Sequence, residues 1–207
     1  MKIYITTREE TNVSYEDIVN LLHESFQERL EQGLKYTCSY INVEQFIEKT
    51  RNGIILVAID SNNNELVGTG TINIIKYKRH KYGYFEYGAI SSKYKRKGIA
   101  SKLIKKRKQI AINNGCEYIL SDTSTKATSA VIYHLKNGFK IVGLESYRST
   151  NYYSYVFRMQ LKPSLIWNNC IFIKIHFILS YIFIKLTRNI DGGDTKIGKI
   201  YKRLCKN

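Results

Sequence analysis

The segment Lys95–Ala100 combines residue types that suit an anion-binding site. It follows a strand that ends at Ile90, and it opens directly into a helix. Two small residues, Gly98 and Ala100, let backbone N–H groups approach an anion closely, and the helix N-terminus adds roughly half a positive charge there. The cations at 95–97 strengthen the attraction. The pattern predicts a diphosphate site, and it also suits a basic turn in which Gly98 serves backbone geometry alone.

Two motifs in this chain resemble those of the GNAT-type N-acetyltransferases. Lys95–Ala100 (KRKGIA) is similar to the acetyl-CoA signature R/Q-x-x-G-x-G/A of that family. About 30 residues further on, Ser129–Phe139 (SAVIYHLKNGF) resembles the second motif, a helix carrying a tyrosine, followed by Gly-Phe and a strand. The chain departs from the pattern at Lys95 (Arg or Gln preferred), at Arg96 (Gly common) and at Lys126 (often Asn).

The resemblance implies where acetyl-CoA would bind. The cosubstrate would lie in a V-shaped opening between two splayed strands, Tyr82–Ile90 and Tyr118–Ser121, with no metal involved. Backbone groups of Ala89 and Ile90 would pair with the pantetheine arm as a strand does. The diphosphate would be held by backbone N–H groups of six residues, Lys95, Arg96, Lys97, Gly98, Ile99 and Ala100. An acceptor amine would then attack the thioester directly.

The resemblance also implies a proton donor for the leaving CoA thiolate. Tyr133 matches the tyrosine of the second motif. A phenol with a pKa of about 10 can protonate a thiolate whose conjugate thiol has a pKa of about 8.5. The other interpretation of Tyr133 is a tyrosine on the helix surface that packs against the sheet. His134 points to a different side of the helix, and we expect it to be structural.

A base is needed as well, because an amine must be neutral to attack. Glu86 is the one acid within a strongly basic stretch, and some family members use a glutamate on this strand as the base. Strand alternation predicts that Tyr84, Glu86 and Gly88 share one face. The alternative for Glu86 is a solvated or Lys-paired carboxylate, and Asp122 is a weaker candidate for the base.

Hydrophobic periodicity predicts an α/β fold. The element order is β–α–α, then an antiparallel meander, then β–α–β–α–β–β, including a basic loop at Lys76–Lys81. This order indicates a GNAT-like mixed, mostly antiparallel central sheet with splayed middle strands, flanked by helices. We assign residues 1–162 to the acetyltransferase-like domain and 163–207 to a C-terminal extension.

The composition limits the classes of function. The chain has 207 residues and a net charge of +16, and its 43% hydrophobic content excludes a disordered chain. Thirteen of the basic residues fall in the stretch 76–108, which is either a polyanion-binding patch or a solvated surface. The N-terminus lacks the apolar segment of a secretory signal, so we expect a cytoplasmic protein.

The alternative to an enzyme is a non-catalytic basic module on the same fold that contacts nucleic acid or an anionic membrane. We favour the enzyme, and we do not expect nucleic acid as the partner.

The acceptor amine is hardly encoded in the sequence. In the family, the first helices and the loop before the fourth strand build the acceptor pocket, which here corresponds to Phe26–Tyr40 and Lys76–Tyr84. Both segments are rich in tyrosine and charge. An amino sugar, an aminoglycoside, a polyamine and a peptide or protein amine all remain open.

The segment Ser164–Leu186 is long and apolar enough to span a membrane, but Lys174, His176 and Lys185 interrupt it. Drawn as a helix, it has a narrow polar stripe and a wide apolar arc. That arrangement suits packing on the domain, pairing with a second copy, or peripheral contact of 164–188 with an anionic membrane. Alternation at Ile173–Phe177 leaves a strand open as well.

Overall fold

The structure is a computed structural model that describes residues 2–205, with 203 and 204 described by their backbone alone. Met1, Lys206 and Asn207, which belong to the predicted N-terminal strand and C-terminal extension, lie outside the described residues. The strands are β1 (Ile3–Thr7), β2 (Gly53–Asp60), β3 (Glu65–Tyr77), β4 (His80–Ile90), β5 (Tyr118–Ser124), β6 (Lys140–Ser146) and β7 (Tyr153–Gln160). The helices are α1 (Tyr15–Glu31), α2 (Val43–Thr50), α3 (Ile99–Asn113), α4 (Thr128–Lys136), α5 (Leu165–Asn168), α6 (Cys170–Thr187) and α7 (Lys196–Leu204).

The predicted fold class is confirmed: the chain is a mixed α/β protein with a seven-stranded, mostly antiparallel sheet flanked by helices. The strand order is β1-β2-β3-β4-β5-β7-β6, and β1 to β4 pair antiparallel in sequence order, as do β6 and β7. Backbone contacts divide the chain into two compact units, residues 1–120 and 121–207. The splay between the middle strands stays a prediction.

Alternating side chains of β2 build two core clusters in the first unit. Ile55 and Val57 pack with residues of α1 and α2, on what we term the α1 face. Leu56 and Ala58 point the other way and pack with residues of α3, on the α3 face. All four side chains are buried, which explains why β2 is an unbroken apolar run rather than an alternating one.

Both helices of the α1 face begin with a capping box. Ser14 accepts a hydrogen bond from the backbone N–H of Asp17, and the Asp17 carboxylate accepts one from the backbone N–H of Ser14. Asn42 and Gln45 make the same reciprocal pair at the start of α2. These reciprocal bonds satisfy backbone donors that would otherwise have no partner.

The predicted basic loop at Lys76–Lys81 is wrong. Strands β3 and β4 continue through it, with Tyr77 paired to His80 across a two-residue turn at 78–79. Lys78 takes a positive φ of 53° in this turn. Two-residue hairpin loops of this kind match the twist of the flanking strands. The basic side chains at the tip therefore interrupt the hydrophobic alternation of the sequence but not the strands themselves.

The second unit contains α4, the β6–β7 pair and the C-terminal helices. Helix α6 packs along β6, where Ser180 bonds to the backbone of Leu144. The segment Ile173–Phe177, for which sequence alternation left a strand open, lies within this helix. The domain boundary at residue 162 stays a prediction, and in the structure the extension contacts β6 directly.

Candidate active site

Two residues with left-handed backbone conformation shape the turn before α3. Arg96 has a φ of 62° and Gly98 a φ of 76°, and α3 begins at the next residue. No side chain caps the helix at Gly98. Left-handed residues in such a turn aim successive backbone N–H groups into a concavity, and an uncapped helix N-terminus leaves its own donors for a ligand. The predicted anion cradle, 95–100, therefore has a suitable backbone.

Glycine is needed at position 98 for its backbone conformation rather than for space. A Cβ atom built on Gly98 meets no other atom within 4 Å, so the site is open. The positive φ is what disfavours other residues. The cations at 95–97 are exposed, and the Lys97 ammonium lies 4.6 Å from the ring centroid of the buried Tyr94. The open side of the cradle is thus strongly positive.

Helix α1 holds the chain that leads into the cradle. The hydroxyl of Ser25 donates to the carbonyl oxygen of Ile90 at 3.1 Å, at the end of β4. The neighbouring Glu24 accepts from the hydroxyl of Ser92 at 2.9 Å. Neither contact can be predicted from the sequence, because nothing in the pattern of α1 distinguishes Glu24 and Ser25 from ordinary surface residues.

A β-bulge in β4 separates Glu86 from the cradle. Ala89 pairs with Thr69 and Glu86 pairs with Thr71, so two residues of β4, Tyr87 and Gly88, lie opposite the single residue Gly70 of β3. The extra residue falls at Tyr87, whose φ is 49°. Because Thr69 and Thr71 share a face of β3, their partners Ala89 and Glu86 share the α1 face of β4.

The bulge overturns the prediction that Gly88 shares a face with Tyr84 and Glu86. The nearest atom to a Cβ built on Gly88 is Nη2 of Arg107, at 3.9 Å. Arg107 belongs to α3, so Gly88 faces the opposite side of the sheet from Glu86. Simple alternation fails here because one inserted residue exchanges the faces of everything beyond it.

Glu86 is half-buried and lies beside a neutral partner. Its carboxylate accepts a short hydrogen bond from the side-chain amide of Asn73 on β3. The adjacent Tyr87 is buried, and that burial, with the nearby Glu86 charge, raises the pKa of its phenol above its usual range. Tyr87 therefore stays protonated at neutral pH, and the role of Glu86 as a base stays a prediction.

The buried Arg107 was wrongly grouped with the exposed basic residues in the sequence analysis. Its guanidinium carbon lies 4.3 Å from the ring centroid of Phe85, and Nη1 donates to the carbonyl oxygen of Thr71 at 3.4 Å. Gly70 leaves room for it, since a Cβ there would lie 3.0 Å from the guanidinium carbon. Arg107 follows the buried Leu103 by four residues on the apolar side of α3, which is the sequence signal that could have identified it.

At their N-terminal ends, β4 and β5 are close together. The rings of Tyr82 and Tyr118 stack with centroids 5.0 Å apart, and the backbone N–H of Glu117 donates to the carbonyl of Lys81 at 2.7 Å. Nδ1 of His80 lies 2.8 Å from the carboxylate of Glu117. These contacts join β5 and the residue before it to the segment Lys76–Tyr84, which the resemblance assigns to the acceptor pocket.

Tyr133 belongs to the second unit, on α4. Its hydroxyl oxygen is buried although the residue as a whole is half-exposed. The next residue, His134, stacks on Phe157 with ring centroids 4.5 Å apart. Its two ring nitrogens contact the carbonyl of Ala130 at 2.8 Å and the hydroxyl of Ser121 at 3.1 Å. His134 therefore has the structural surroundings expected of it. Among the described residues, no group of three His, Cys, Asp or Glu side chains is arranged to hold a metal ion.

Residues 15–139, more than half of the chain, match the sequence model of the acetyltransferase (GNAT) family. The chain belongs to this family. The resemblance that rests on the two motifs is thereby confirmed, and acetyl transfer is the class of reaction to which the fold and the cradle point. No sequence among the curated proteins compared with the chain matches it.

Solved GNAT structures share the fold at low sequence identity. A chain of the NatC complex bound to Gag peptide and CoA superposes with a TM-score of 0.61 at 16% identity, over 78% of this chain and 100% of that one. A GNAT acetyltransferase from Elizabethkingia anophelis with acetyl-CoA bound gives 0.57 at 17% identity, over 77% and 98%. The PaiA N-acetyltransferase from Thermoplasma acidophilum in complex with coenzyme A gives 0.58 at 17% identity, over 78% and 100%.

Proposed function

We propose that this GNAT protein transfers the acetyl group of acetyl-CoA to the nitrogen of a primary amine. The observation that carries the proposal is the cradle at 95–100, where left-handed Arg96 and Gly98 lead into the uncapped N-terminus of α3. Three exposed cations surround it. A diphosphate is the anion that such a turn fits, and acetyl-CoA carries one.

Glu86 is the proposed base. The amine attacks the thioester carbonyl, so an N–C bond forms and, when the tetrahedral intermediate collapses, the C–S bond breaks. The proton lost from the amine passes to the Glu86 carboxylate, directly or through one water. Asn73 holds that carboxylate on the α1 face without neutralising it, because an amide donates a hydrogen bond but no charge.

Tyr133 is the proposed acid. Its phenol gives a proton to the departing CoA thiolate, so that CoA leaves as the thiol. The buried position of the hydroxyl suits this role, because a donor shielded from bulk water keeps its proton until a stronger base appears beside it. Backbone N–H groups near Ile90 are the proposed donors to the oxyanion of the tetrahedral intermediate.

The acceptor is proposed as a primary amine of either a small molecule or a peptide. A peptide is represented among the similar structures, in the NatC complex bound to Gag peptide and CoA. The stacked tyrosines Tyr82 and Tyr118 lie in and beside the segment assigned to the acceptor pocket. Flat aromatic surfaces there suit a cationic or aliphatic amine, which can stack against a ring face.

Calorimetric titration with acetyl-CoA and with S-acetylpantetheine, which lacks the diphosphate, tests the cradle. Gly98→Asp adds a negative charge to the cradle, and aspartate is a residue type that tolerates a positive φ. The matched control is Gly115→Asp at the far end of α3, where φ is 73° and a Cβ also meets no atom within 4 Å. We expect G98D to weaken acetyl-CoA binding about tenfold or more, and G115D to change it less than about twofold.

Turnover is tested separately by chromatographic detection of CoA with peptides, polyamines and amino sugars as acceptors. Release of CoA that depends on a free primary amine supports the proposal. Tight binding of acetyl-CoA without release of CoA to any amine would contradict it and would leave the non-catalytic module. Absence of acetyl-CoA binding at millimolar concentration would contradict the cradle itself.

A further inference from the structure

Helix α6 carries an apolar surface that faces outward. The helix has 18 residues, and only Ile173, Ile184 and Thr187 are buried. Eight large apolar side chains on the opposite side are 43–62% exposed: Ile171, Phe172, Ile175, Ile178, Leu179, Ile182, Phe183 and Leu186. We term these eight residues the outer face of α6. A surface helix normally shows the reverse pattern, with its apolar side inward.

On the side of α6 that packs against β6, two polar side chains bond to the backbone of the strand. The hydroxyl of Ser180 accepts from the backbone N–H of Leu144 at 2.9 Å and lies 3.2 Å from the carbonyl oxygen of the same residue. Nδ1 of His176 lies 2.6 Å from the carbonyl oxygen of Val142. Both partners belong to β6, the last strand in the sheet order, so α6 supplies hydrogen bonds to a sheet edge. Ser180 and His176 thus bond to the strand, and the eight apolar residues of the outer face point away from it.

Helix α7 extends the same surface. Ile197, Ile200 and Tyr201 are 47–56% exposed, and the ring of Tyr201 contacts that of Phe183 on the outer face at a centroid distance of 5.2 Å. The turn between the two helices is tied by Asp194, whose carboxylate oxygens lie 3.1 Å from Arg188 and 2.7 Å from Lys202. The two apolar surfaces are therefore held side by side.

The charges around this surface are almost all positive. The stretch 164–207 contains eight Lys and Arg residues and two acidic residues, Asp191 and Asp194. Lys174 and Lys185 are exposed on one flank of the outer face, and Lys196 and Lys199 are exposed on α7. An apolar surface bordered by cations is complementary to a bilayer whose headgroups are anionic.

A second copy of the chain fits this surface less well. A two-fold interface places the same patch on both sides, so the lysines of one copy would face those of the other. Of the two acidic residues that could neutralise them, Asp194 is already paired with Arg188 and Lys202. Burying apolar residues would then bring unpaired like charges together, which costs free energy.

We infer that α6 and α7 form a peripheral binding site for an anionic lipid bilayer, with the outer face of α6 inserted at the level of the headgroups and the helix lying in the membrane plane. In the part of the chain that the structure describes, α6 is the one helix long and apolar enough to cross a membrane. Its 18 residues would span about 27 Å, close to the hydrocarbon thickness. The bonds from Ser180 and His176 to β6 keep one side of it on the sheet edge, and this favours lying on the membrane over crossing it.

Flotation of the full chain with lipid vesicles tests this inference. We expect it to bind vesicles of phosphatidylcholine with about one-third phosphatidylserine, and to bind pure phosphatidylcholine at least about tenfold more weakly. Leu179→Glu removes an inserted side chain and adds a repelled charge, so it should weaken binding about tenfold or more. Ile112→Glu is the matched control, because Ile112 is an exposed apolar residue (46%) on α3, in the first unit.

Four outcomes would overturn the inference. One is that neither kind of vesicle binds, and another is that both glutamate variants bind as the unchanged chain does. The third is a chain that sediments as a dimer, becomes monomeric with Leu179→Glu, and does not bind vesicles. The fourth is resistance to extraction with alkaline carbonate, which would indicate a spanning helix. Acetyl-CoA binding, measured on the same samples, should be equal in the two variants, which keeps this test separate from that of the proposed activity.

Discussion

At the level of single residues, the proposed reaction depends on two proton transfers. Glu86 lies on a strand of the first unit, beside Asn73, and Tyr133 lies on a helix of the second. Each side chain has a substitution that keeps its shape and removes its acid–base chemistry. The two roles can therefore be tested independently of the fold.

Tyr133→Phe should lower kcat about a hundredfold while leaving acetyl-CoA affinity within about twofold, because the phenol acts on the leaving group and not in binding. Steady-state kinetics combined with calorimetry measure the two effects. Tyr155→Phe on β7 is the control, since it removes a phenol from the same unit at a residue without a proposed role. An unchanged kcat in Tyr133→Phe would show that the tyrosine only packs against the sheet.

Glu86→Gln should lower kcat/KM about a hundredfold near neutral pH, since the amide can still accept from Asn73 but cannot take a proton. The defect should shrink as the pH rises towards the pKa of the acceptor amine, because the amine then needs no base. A pH–rate profile of both proteins measures this, with Glu48→Gln on the exposed surface of α2 as control. A defect that stays constant at every pH would indicate that Glu86 binds or positions the acceptor.

At the level of elements, the site depends on the bulge in β4 and on the side chain that packs behind it. Arg107 contacts Phe85 and the carbonyl of Thr71, and it fills the space left by Gly70. It therefore ties α3, whose N-terminus forms part of the cradle, to the strand segment that carries Glu86. The buried guanidinium is thus placed to position both the proposed cradle and the strand segment of the proposed base.

Arg107→Met should lower the free energy of unfolding by about 2–4 kcal/mol, because it removes a buried charged donor while its partner carbonyl stays buried. The identical change at the next residue, Lys108→Met, should cost less than about 0.5 kcal/mol, since Lys108 is exposed. Urea unfolding of both variants measures the difference. Equal costs would show that the contacts of Arg107 contribute no net stability.

The capping boxes of α1 and α2 offer a prediction about pH. Hydrogen bonds from Ser14 lower the pKa of Asp17 below its ordinary value of about 3.9. A carboxyl whose pKa is lower in the folded state than in the unfolded state stabilises the fold at pH values above its unfolded-state pKa. This stabilisation is lost as the pH falls through the pKa of the folded state. Ser14→Ala should therefore cost about 1 kcal/mol at neutral pH and less near pH 3. Asn42→Ala should cost the same at both pH values, because its partner Gln45 does not titrate.

Chemical unfolding of both cap variants, each compared with the unchanged chain at about pH 3 and pH 7, measures these costs. A cost for Ser14→Ala that does not change with pH would mean that the hydroxyl does not bond to the ionised carboxylate.

At the level of the whole molecule, the net charge of +16 should steer an anionic cosubstrate to the cradle. Raising the salt concentration from about 0.1 M to 1 M shortens the screening length from about 10 Å to about 3 Å. The association rate of acetyl-CoA should then fall about tenfold, whereas that of S-acetylpantetheine, which has no phosphates, should change little. Stopped-flow binding measures both rates. The same salt dependence for both ligands would contradict a role for the charge.

Local patterns in the sequence were sufficient to predict most elements, and the role of 95–100 in anion binding stays a prediction. The cap at Ser14, the apolar run of β2 and the turn at Gly98 depend on interactions within a few residues, and such interactions can be recognised without knowing the fold. The same holds for the family, because its two motifs are contiguous segments. For the extension, the residues alone favoured a helix but left a strand open at Ile173–Phe177, and the structure shows a helix there.

What the tertiary structure alone decided depends on pairing between distant segments. The bulge at Tyr87 is a register shift against β3, so it becomes visible only when the two strands are paired, and it decides that Gly88 and Glu86 face opposite sides. The burial of Arg107 required knowing which side of α3 meets the sheet. The outward apolar surface of α6 has the same origin. Its sequence allowed either side to face inward, and hydrogen bonding of Ser180 and His176 to the edge of β6 determined which one does.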